Sequence, residues 1–382
     1  MRVLHLGKFY PPARGGMETI LELICERTSA DVDNTVLVAD HSSESSGPSE
    51  PGREKHGSVE VIRLPAVVKV GAVAVLPGLP FRVRATPSDL VVLHEPNPMA
   101  LLAYYLARPA GRLIVWFHSE VVRPSWRYAL FYRPFLNFAF ARASKIIVAS
   151  PTLVASSPQL RRWQHKCVVI PYGIDMTSGD APERVAVRAD AIRREAGGQP
   201  LVLFVGRLVK YKGVDVLLEA MRGVAAKVVL VGDGPEKAAL QRVAEREGVA
   251  DRVKFLGEVT PDELAALYRA CDLFVLPSVT RQEAFGVVLI EAMACGKPVI
   301  STDLGTGSGW VNQDGETGLV VPPRDAPALH NAIFRLLGDA ELRQSMGAAA
   351  RHRARTVFGA DRMVASVLGL FREVVGTGRA AA

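Results

Sequence analysis

The chain has few cysteines, no long apolar run and no leader-like start. Four cysteines occur among 382 residues, and no two of them form a Cys-x-x-Cys pair, which argues against a zinc ribbon or a redox motif. The most apolar stretch, residues 65–81, is interrupted by Lys69 and three prolines, so it is too broken to cross a bilayer. The first residues lack the apolar core and the cleavage site of a signal peptide. These absences predict a soluble, cytoplasmic protein.

Basic residues exceed acidic ones. Lys plus Arg total 46 against 39 for Asp plus Glu, and the net charge of +7 favours anionic partners such as nucleotide phosphates, nucleic acid or an acidic membrane surface. No helix-turn-helix, zinc-finger or aromatic RNA-binding motif is visible, so nucleic acid is not the expected partner. Apolar residues make up 49% of the chain, which excludes disorder as its main state.

Short apolar runs alternate with amphipathic segments in two series. Strands are predicted over residues 3–6, 35–38, 90–93, 113–117, 145–149 and 168–170, and then over 201–205, 227–231, 253–256, 273–276, 298–301 and 318–321. Helices are predicted over residues 17–28, 99–106, 214–221, 236–247, 261–270 and 287–294. Strands this short and apolar are typical of parallel sheets buried on both faces. The sequence therefore predicts an α/β fold with two open parallel-sheet domains.

The domain boundary is predicted from composition. The polar and charged segment 179–199 separates the two series, and it carries a helix before the second sheet. We therefore expect one domain over residues 1–172 and a second that begins at residue 173. Residues 41–57 are rich in Ser, Gly, Pro and Glu and predict an exposed loop.

A Gly-Gly pair follows the first predicted strand and opens the first helix. Gly15 and Gly16 lack Cβ, so the backbone there can turn sharply and approach a ligand closely. The free N–H groups at the start of the helix favour an anion. The spacing is not G-x-G-x-x-G, so the dinucleotide fingerprint is missing. A simple strand-to-helix turn is the alternative interpretation.

Two cations follow the first strand of the second series. Arg207 and Lys212 lie in a predicted strand-to-helix loop. Ligands of open α/β sheets bind outside the carboxyl ends of the strands. A planar guanidinium and an ammonium at such an edge suit a diphosphate. A solvated basic loop is the alternative.

The most informative stretch runs from residue 277 to residue 300. Glu283 lies in a loop after a predicted strand, and Glu291 follows eight residues later, which predicts a position about two turns into the next helix. Phe285, Gly286 and Val287 form the helix entrance, where free N–H groups can hold phosphate or sugar oxygens. Carboxylates accept hydrogen bonds from paired hydroxyls. The pattern suits a sugar joined to a nucleotide diphosphate.

A histidine follows another strand of the first series. His118 comes directly after the predicted strand 113–117. A lone histidine is more often structural than catalytic, but a position at the carboxyl end of a strand favours a role in a site. Both interpretations stay open.

With these motifs, nearly the whole chain resembles the retaining GT-B glycosyltransferases of glycosyltransferase family four, and the segment from Glu283 to Glu291 is the most specific part. The resemblance implies two Rossmann-like domains that face each other across a cleft. Residues 1–172 would bind the acceptor, and residues 173–355 would bind the nucleotide sugar. Residues 356–382 would form a helix that crosses back to the first domain.

The resemblance also implies roles for the residues that hold the diphosphate and flank the sugar. Gly15 and Gly16 would lie near the donor diphosphate, and His118 would lie beside the transferred sugar. Arg207 and Lys212 would neutralise the diphosphate leaving group, in the place that a metal ion takes in other transferases. No metal and no cofactor are therefore expected. Replacing Lys212 with Ala is expected to reduce turnover and to leave the fold intact.

Further roles concern the sugar and the ribose. By the same resemblance, Glu283 would hold sugar hydroxyls, assisted by the backbone of Phe285, Gly286 and Val287. Glu291 would bind the ribose hydroxyls. Because no carboxylate is clearly placed as a covalent nucleophile, the resemblance favours a same-face displacement in which the leaving phosphate helps to deprotonate the acceptor.

Residues 302–307 and 310–315 resemble a bacterial subgroup that adds mannosyl or rhamnosyl units to lipid-linked polysaccharide such as lipopolysaccharide, usually from GDP-sugars. The expected partners are thus a nucleotide-sugar donor, with a GDP-sugar favoured over a UDP-sugar, and a glycan or lipid-linked acceptor. The alternatives are a nucleotide-sugar epimerase of the same two-domain fold and a UDP-sugar-dependent transferase that acts on a small acceptor. A binding module without catalysis is a further alternative.

A metal-dependent transferase is another rival. Asp31 and Asp33 form an Asp-x-Asp triplet with Val32, but the triplet precedes a predicted strand, whereas a metal-binding triplet should end one. Loss of activity in EDTA, restored by manganese, would favour this rival.

The basic excess has a further interpretation at a membrane. Residues 104–112 and 123–145 mix Arg with aromatic residues and Leu. The side chains expected to dock on an anionic bilayer are Arg127, Tyr128, Leu130, Phe131, Phe135 and Phe138. This predicts peripheral association with the inner face of the cell membrane. An ordinary core-facing helix with a charged outer side is the alternative.

Overall fold

The chain forms two compact units. The structure, a computed structural model, describes residues 1–13, 15–40, 52–70, 73–121, 126, 128–175 and 182–376. The first unit combines Met1–Tyr172 with Asp361–Ala382, and the second is Gly173–Ala360. The first unit is thus built from two separate stretches of the chain.

The described strands fall into two main sheets and one hairpin. They are β1 (Arg2–Leu6), β2 (Asp33–Ala39), β3 (Gly52–His56), β4 (Val59–Leu64), β5 (Val68–Val70), β6 (Val73–Val75), β7 (Leu90–Glu95), β8 (Arg112–Phe117), β9 (Lys145–Val148), β10 (Cys167–Val169), β11 (Leu201–Val205), β12 (Lys227–Val231), β13 (Val253–Gly257), β14 (Leu273–Leu276), β15 (Val299–Thr302) and β16 (Gly318–Val321). The hairpin is β5–β6.

The helices alternate with these strands. They are α1 (Gly16–Thr28), α2 (Leu79–Ala85), α3 (Pro98–Ala107), α4 (Arg133–Arg142), α5 (Pro151–Ser156), α6 (Glu183–Glu195), α7 (Val214–Ala220), α8 (Lys237–Arg246), α9 (Pro261–Ala270), α10 (Val287–Ala294), α11 (Gly307–Val311), α12 (Ala326–Gly338), α13 (Ala340–Val357) and α14 (Ala360–Gly376). None of the helices in the described ranges combines the length and the apolar character needed to cross a membrane.

The sheet of the first unit has the order β10-β9-β8-β7-β1-β2-β4-β3 among the described residues. Its neighbouring strands run parallel except β3 and β4. On one face, Leu4, Leu93 and Phe117 join a buried cluster that includes residues of α2, α3 and α4. On the other face, Val36 and Val38 pack with residues of α1. The order of the strands reverses between β1 and β7, and such a switch point is where open α/β sheets bind ligands.

The sheet of the second unit has the order β13-β12-β11-β14-β15-β16, and its strands are all parallel. This is the strand order of a Rossmann fold, and its switch point lies between β11 and β14. The predicted fold class, two Rossmann-like parallel-sheet units, is confirmed. Each of the twelve predicted strands is present with its ends within two residues.

One prediction about the first unit needs correction. Residues 52–56 of the predicted exposed loop form the strand β3, while residues 41–51 lie outside the described residues. β3 is polar and mostly exposed, because it is an edge strand held by an antiparallel ladder to β4, and an apolar pattern therefore cannot reveal it. The apolar stretch 65–81 contains the hairpin β5–β6 and the start of α2.

Candidate active site

The switch point of the second unit brings together two of the predicted site residues. Lys212 ends a short 3₁₀ turn after β11, and Glu283 follows β14. The Lys212 Nζ atom donates a hydrogen bond to Glu283 Oε2 at 2.6 Å. The hydroxyl of Ser278 donates to the same oxygen at 2.9 Å. Only 11% of the Lys212 side chain and 10% of the Glu283 side chain are exposed, so the two charges form a nearly buried ion pair.

The ion pair keeps Lys212 charged. Burial alone would lower the pKa of Lys212, but the opposing effect of the Glu283 carboxylate, with smaller help from Tyr211, raises it above its ordinary value. The ammonium is therefore available as a fixed positive charge at neutral pH.

A glycine allows the two loops to meet. Gly213 follows Lys212 and has a φ of +66°. A Cβ atom at this position would lie 2.1 Å from the carbonyl oxygen of Pro277, at the end of β14. Any other residue would push the loop after β11 away from the loop after β14. Gly213 therefore permits the contact between Lys212 and Glu283.

A third loop fixes the backbone of Glu283. Thr306 donates its hydroxyl to the Glu283 carbonyl at 2.7 Å, and the Gly307 N–H donates to the Ala284 carbonyl at 2.8 Å. The guanidinium of Arg281 in turn donates to the carbonyls of Leu304 and Gly305. The segment 302–307, which the sequence analysis singled out, thus holds the glutamate loop in place.

The helix entrance after Glu283 is present as predicted. Gly286 caps α10 with a φ of +80°, and Val287 is the first helical residue. The Phe285 ring is buried against Trp310 and Phe358, so Phe285 can offer a ligand only its backbone. The first N–H groups of a helix have no partner within the helix and suit an oxygen ligand.

Glu291 differs from its predicted position. It is the fifth residue of α10, so it lies about one turn into the helix, because the helix begins only at Val287. Its Oε2 atom accepts a hydrogen bond from the Tyr268 hydroxyl at 2.6 Å. Burial raises the pKa of Glu291, and the Tyr268 hydrogen bond opposes that effect.

Arg207 is the exposed cation of the site. It follows β11 and forms no ion pair with any described residue. An exposed guanidinium in the loop that also carries Lys212 can bind an anion from solution.

A carboxyl group of the protein itself, that of Glu18, lies beside Gly15 of the Gly-Gly pair. Gly15 caps α1, and a Cβ atom there would lie 2.3 Å from Glu18 Oε2, whereas Gly16 faces open space. Burial raises the pKa of Glu18. The Glu18 carboxyl thus lies at the helix start that the sequence assigns to an anion. Arg14 of the same motif lies outside the described residues.

His118 is buried, and both of its ring nitrogens have partners. Nε2 lies 2.9 Å from His94 Nδ1, and Nδ1 lies 2.5 Å from the Tyr172 hydroxyl. Burial lowers the pKa of His118 to about 3, so the ring is neutral near pH 7. The imidazole is therefore not poised as a general acid.

Sequence reasoning missed two residues at the carboxyl end of β7, Glu95 and Asn97. Glu95 is fully buried and accepts hydrogen bonds from the Asn97 N–H at 2.9 Å and from the Tyr132 hydroxyl at 2.7 Å. The Asn97 side chain caps α3 and donates to the Gly7 carbonyl, so it bridges the switch point of the first sheet. The polar residues after the apolar run 90–93 are the same kind of signal that singled out His118.

The Asp-x-Asp triplet has other contacts. Asp31 forms an ion pair with Arg372 at 2.6 Å, and Asp33 begins β2. Among the described residues, one group of three side chains, Glu22, Glu26 and His56, has ligand atoms within 4.8 Å of one another. In that group the imidazole already lies 3.3 and 3.5 Å from the two carboxylates.

The similarity to known proteins decides the family. Residues 188–353 match the family described as Glycosyl transferases group 1, and residues 15–173 match a Glycosyl transferase 4-like domain. The O-antigen chain mannosyltransferase C of Escherichia coli is 32% identical over 97% of this chain and 98% of its own length. The chain belongs to the group 1 glycosyltransferases. The resemblance seen in the sequence is confirmed, and this glycosyltransferase is an enzyme that transfers a sugar.

Other relatives of the glycosyltransferase agree with this assignment. The D-rhamnosyltransferase WbpZ of Pseudomonas aeruginosa is 35% identical over 94% of this chain and 93% of its own length. Among solved structures, the sucrose-phosphate synthase of Thermosynechococcus elongatus superposes with a TM-score of 0.77 at 25% identity, over 98% of this chain and 99% of that one. HepE of Anabaena, solved in complex with UDP-glucose, superposes with a TM-score of 0.76 at 23% identity, over 98% of this chain and all of that one.

Proposed function

We propose that this glycosyltransferase moves a mannosyl or rhamnosyl unit from a nucleotide diphosphate sugar to a glycan or lipid-linked acceptor, without a metal ion. The similarity to an O-antigen mannosyltransferase and to a D-rhamnosyltransferase, each over more than nine-tenths of the chain, supports the sugar and the acceptor class. The favoured donor is a GDP-sugar. The second unit binds the donor, and the first unit binds the acceptor.

The Lys212–Glu283 ion pair is the observation that carries the proposal. It lies where the carboxyl ends of β11 and β14 meet. Arg207, whose side chain is exposed, precedes Lys212 in the same loop, and Glu283 is close in sequence to the start of α10. The cations suit the diphosphate, whose negative charge grows as the bond to the sugar breaks. The carboxylate of Glu283 suits sugar hydroxyls. Glu291 retains one oxygen, Oε1, that can accept a bond from a ribose hydroxyl while Oε2 binds Tyr268.

The proposed reaction retains configuration at the sugar. The bond from the anomeric carbon to the phosphate oxygen breaks, and the bond from that carbon to the acceptor oxygen forms on the same face. The acceptor proton passes to the departing phosphate oxygen. His118 is neutral and both of its ring nitrogens are occupied, which supports the assignment of proton acceptance to the phosphate and not to this imidazole.

The test is a donor screen with purified protein. GDP-mannose and UDP-glucose are each incubated with and without an acceptor glycan, in the presence of EDTA, and nucleotide release and the product anomer are measured. We expect GDP release that depends on the acceptor and survives EDTA, with an α-linked product from the α-linked donor. Nucleotide release that occurs only after manganese is added would contradict metal independence. An epimerised donor in the sample without acceptor would favour the epimerase instead.

We also propose that the first unit docks on an anionic membrane surface. Leu130 and Phe131 are 59% and 61% exposed, and Phe81 and Leu106 are exposed on α2 and α3. The helices α2 and α3 pack together, as do α3 and α4. Exposed arginines accompany these apolar side chains, at positions 82, 84, 108 and 133. Apolar side chains flanked by cations suit an anionic bilayer.

Two of the side chains predicted for this surface have another role. Phe135 and Phe138 pack edge-on against Tyr105 and are partly buried, so they join the interior of the first unit. Tyr128 is also partly buried, and its ring lies against Tyr132. Arg127 lies outside the described residues. Of the predicted side chains, Leu130 and Phe131 thus remain in the proposed docking surface, and Phe81 and Leu106 are added to it.

A further inference from the structure

Three histidines line one face of the first sheet and form a continuous row of hydrogen bonds. His5 lies in β1, His94 in β7, and His118 directly after β8. His5 Nδ1 lies 3.1 Å from His94 Nε2, and His94 Nδ1 lies 2.9 Å from His118 Nε2. All three are buried. We call His5, His94 and His118 the histidine row.

Each end of the histidine row has one further partner. At one end, His5 Nε2 lies 3.2 Å from Asn34 Oδ1, on β2. At the other end, the Tyr172 hydroxyl lies 2.5 Å from His118 Nδ1. Tyr172 is the last residue of the first unit before the chain passes into the second.

The amide of Asn34 determines which atom donates and which accepts in each hydrogen bond of the histidine row. Its Nδ2 atom donates to the Cys25 carbonyl at 3.0 Å and to the Thr28 hydroxyl at 2.9 Å. The carbonyl of Cys25 can only accept, and the Thr28 hydroxyl gives its own proton to the Ile24 carbonyl. The amide nitrogen therefore faces these two groups, and Oδ1 faces His5. Because Oδ1 can only accept, His5 must donate from Nε2.

The positions of the ring protons on His94 and His118 follow from the proton on His5. A neutral imidazole has one N–H and one lone pair. Since His5 donates from Nε2, its Nδ1 accepts, so His94 must donate from Nε2. The same step applies to His118, whose Nε2 donates to His94 and whose Nδ1 accepts the proton of the Tyr172 hydroxyl. Every ring of the histidine row is then an Nε2–H tautomer.

The buried surroundings keep the imidazoles of the histidine row neutral. Burial lowers the pKa of His5 to about 4 and that of His118 to about 3. Burial, and to a smaller extent the neighbouring His118 and His5, lowers the pKa of His94 well below its ordinary value. Burial also raises the pKa of Tyr172, so the hydroxyl keeps its proton. The ring of Trp116 stacks against His94 and His118, and Phe371 of α14 lies against His5.

We propose that Asn34, His5 and His94 are positioning residues that hold the His118 ring as the Nε2–H tautomer, so that its Nδ1 atom is a pure hydrogen-bond acceptor. The proposal rests on the proposed function for its effect on turnover, since it assumes that the orientation of His118 matters to the transfer. In the chain described here, the acceptor lone pair of His118 receives the hydroxyl of Tyr172. A donor such as a hydroxyl is the only kind of neutral group that the Nδ1 atom can bind in this tautomer.

The tautomers can be measured without any substrate. Protein labelled with ¹⁵N-histidine is examined by long-range ¹H–¹⁵N NMR, in which a protonated and an unprotonated ring nitrogen have clearly different shifts. We expect three neutral imidazoles with protonated Nε2 and bare Nδ1, unchanged between pH 8 and about pH 6 because the folded pKa values are lowered. A protonated Nδ1 on His118 in the wild-type protein would overturn the proposal. His94→Gln, which keeps one donor and one acceptor in the row, assigns the His94 signals.

Two variants of Asn34 distinguish an effect of its hydrogen bond to His5 from an effect of packing at position 34. Asn34→Asp and Asn34→Leu both lose the donors to Cys25 and Thr28, but only Asn34→Asp keeps an acceptor for His5. At pH 8 we expect His118 to stay an Nε2–H tautomer in Asn34→Asp and to gain a protonated Nδ1 in Asn34→Leu. The same His118 tautomer in both variants would show that Asn34 does not set it.

Turnover is the second measurement on the two variants Asn34→Asp and Asn34→Leu. We expect kcat of Asn34→Leu to fall at least about tenfold below that of Asn34→Asp, with KM for the donor little changed. Equal kcat values in the two variants would contradict the positioning role. If the wild-type protein transfers no sugar from any donor, the proposed function fails while the NMR spectra still decide the tautomers. The wild-type spectrum needs no substitution, so the test does not depend on how well the variants fold.

Discussion

The ammonium of Lys212 and the carboxylate of Glu283 lie 2.6 Å apart although 71 residues separate them in sequence. The pair joins the loop that follows β11 to the loop that follows β14, so the group expected to face the diphosphate and the group expected to face the sugar support each other. Removing either partner leaves the other charge buried and alone. Substitutions that remove one charge or both charges of this ion pair can therefore distinguish its effect on stability from its effect on activity.

Replacing Lys212 with Ala should reduce both turnover and stability. The sequence led us to expect an intact fold, but an uncompensated Glu283 in this buried position should cost about 3–5 kcal/mol of the free energy of unfolding. The double variant Lys212→Met, Glu283→Gln removes both charges and should recover most of that stability while it stays inactive. Urea unfolding and donor turnover measure the two effects. Wild-type turnover in Lys212→Ala would refute the role of this residue.

Replacing Arg207 with Ala should affect the donor and spare the fold. Arg207 is exposed and has no ion pair with a described residue, so the free energy of unfolding should change by no more than about 0.5 kcal/mol. KM for the donor should rise, and the difference from wild type should shrink as salt is added. Lys210→Ala, an exposed cation three residues along the same loop, is the matched control and should leave KM close to wild type. Equal effects of the two substitutions would indicate a general charge effect and no specific contact.

The histidine row should make the protein sensitive to acid. The unfolded histidines take up protons near pH 6.5, whereas in the folded chain the pKa is about 4 for His5 and about 3 for His118, and the pKa of His94 lies well below its ordinary value. The unfolded state therefore binds more protons below pH 6.5, and stability is lost as the pH falls from there toward 4. Each histidine contributes a slope of up to about 1.4 kcal/mol per pH unit.

Urea unfolding at several pH values between 8 and 4.5 measures this slope. His94→Gln should lower the slope of stability against pH by up to about 1.4 kcal/mol per pH unit, which corresponds to one proton, since Gln does not titrate. His352→Gln, at an exposed histidine of α13, is the control and should leave the slope unchanged. A slope that does not differ between the two variants would mean that the row is not the source of the acid sensitivity.

Replacing Glu95 with Gln should stabilise the protein above neutral pH. Burial raises the pKa of Glu95 to about 8, and its hydrogen bonds from the Asn97 N–H and the Tyr132 hydroxyl oppose that effect. Unfolded Glu95 ionises from about pH 4.5, so the folded state binds the extra proton and stability falls as the pH rises from 4.5 to 8. A Gln side chain can accept the same two hydrogen bonds and carries no charge. We expect a gain of up to about 3 kcal/mol at pH 7.

Thermal unfolding at pH 5 and pH 8 checks this prediction. The gain of Glu95→Gln over wild type should be small at pH 5 and large at pH 8. Tyr132→Phe, which removes one of the two donors to Glu95, is the companion variant and should lower stability at both pH values. A gain that is independent of pH would show that Glu95 is ionised in the folded protein.

Replacing Leu130 and Phe131 with Ser should weaken binding to anionic vesicles. Both side chains are more than half exposed, and their loss removes apolar area that could enter the bilayer surface. Phe334→Ser is the matched control, because Phe334 is 64% exposed but belongs to the second unit. Vesicle co-sedimentation at low and high salt measures the binding. No affinity of the wild-type protein for anionic vesicles at low salt would remove the membrane proposal.

The sequence predicted the strands well because a parallel sheet buried on both faces demands short apolar runs. It could not predict β3, whose exposed residues show no such pattern. For the candidate site it predicted the loops that carry Arg207, Lys212 and Glu283 and the helix entrance at Gly286, since each lies next to a predicted strand end. It did not predict that Lys212 would pair with Glu283, because that contact depends on which strands are neighbours in the sheet.

The histidine row was invisible to the sequence for a similar reason. His5, His94 and His118 lie on three different strands, and each is a lone histidine along the chain. Only the parallel register, which places His94 beside Trp116 and His5 beside Val92, puts the three rings on one face. The direction of their hydrogen bonds then depends on Asn34, which nothing in its own sequence context marks as special.

The placement of α14 has a consequence for how the protein is made. The strands that carry the histidine row are synthesised before the second unit, whereas Phe371, which lies against His5, is synthesised after it. The intervening unit, Gly173–Ala360, delays that contact by roughly 10–40 s at ordinary rates of translation. During that interval the nascent sheet has one face without its final helix, so chaperones or premature aggregation would act there first.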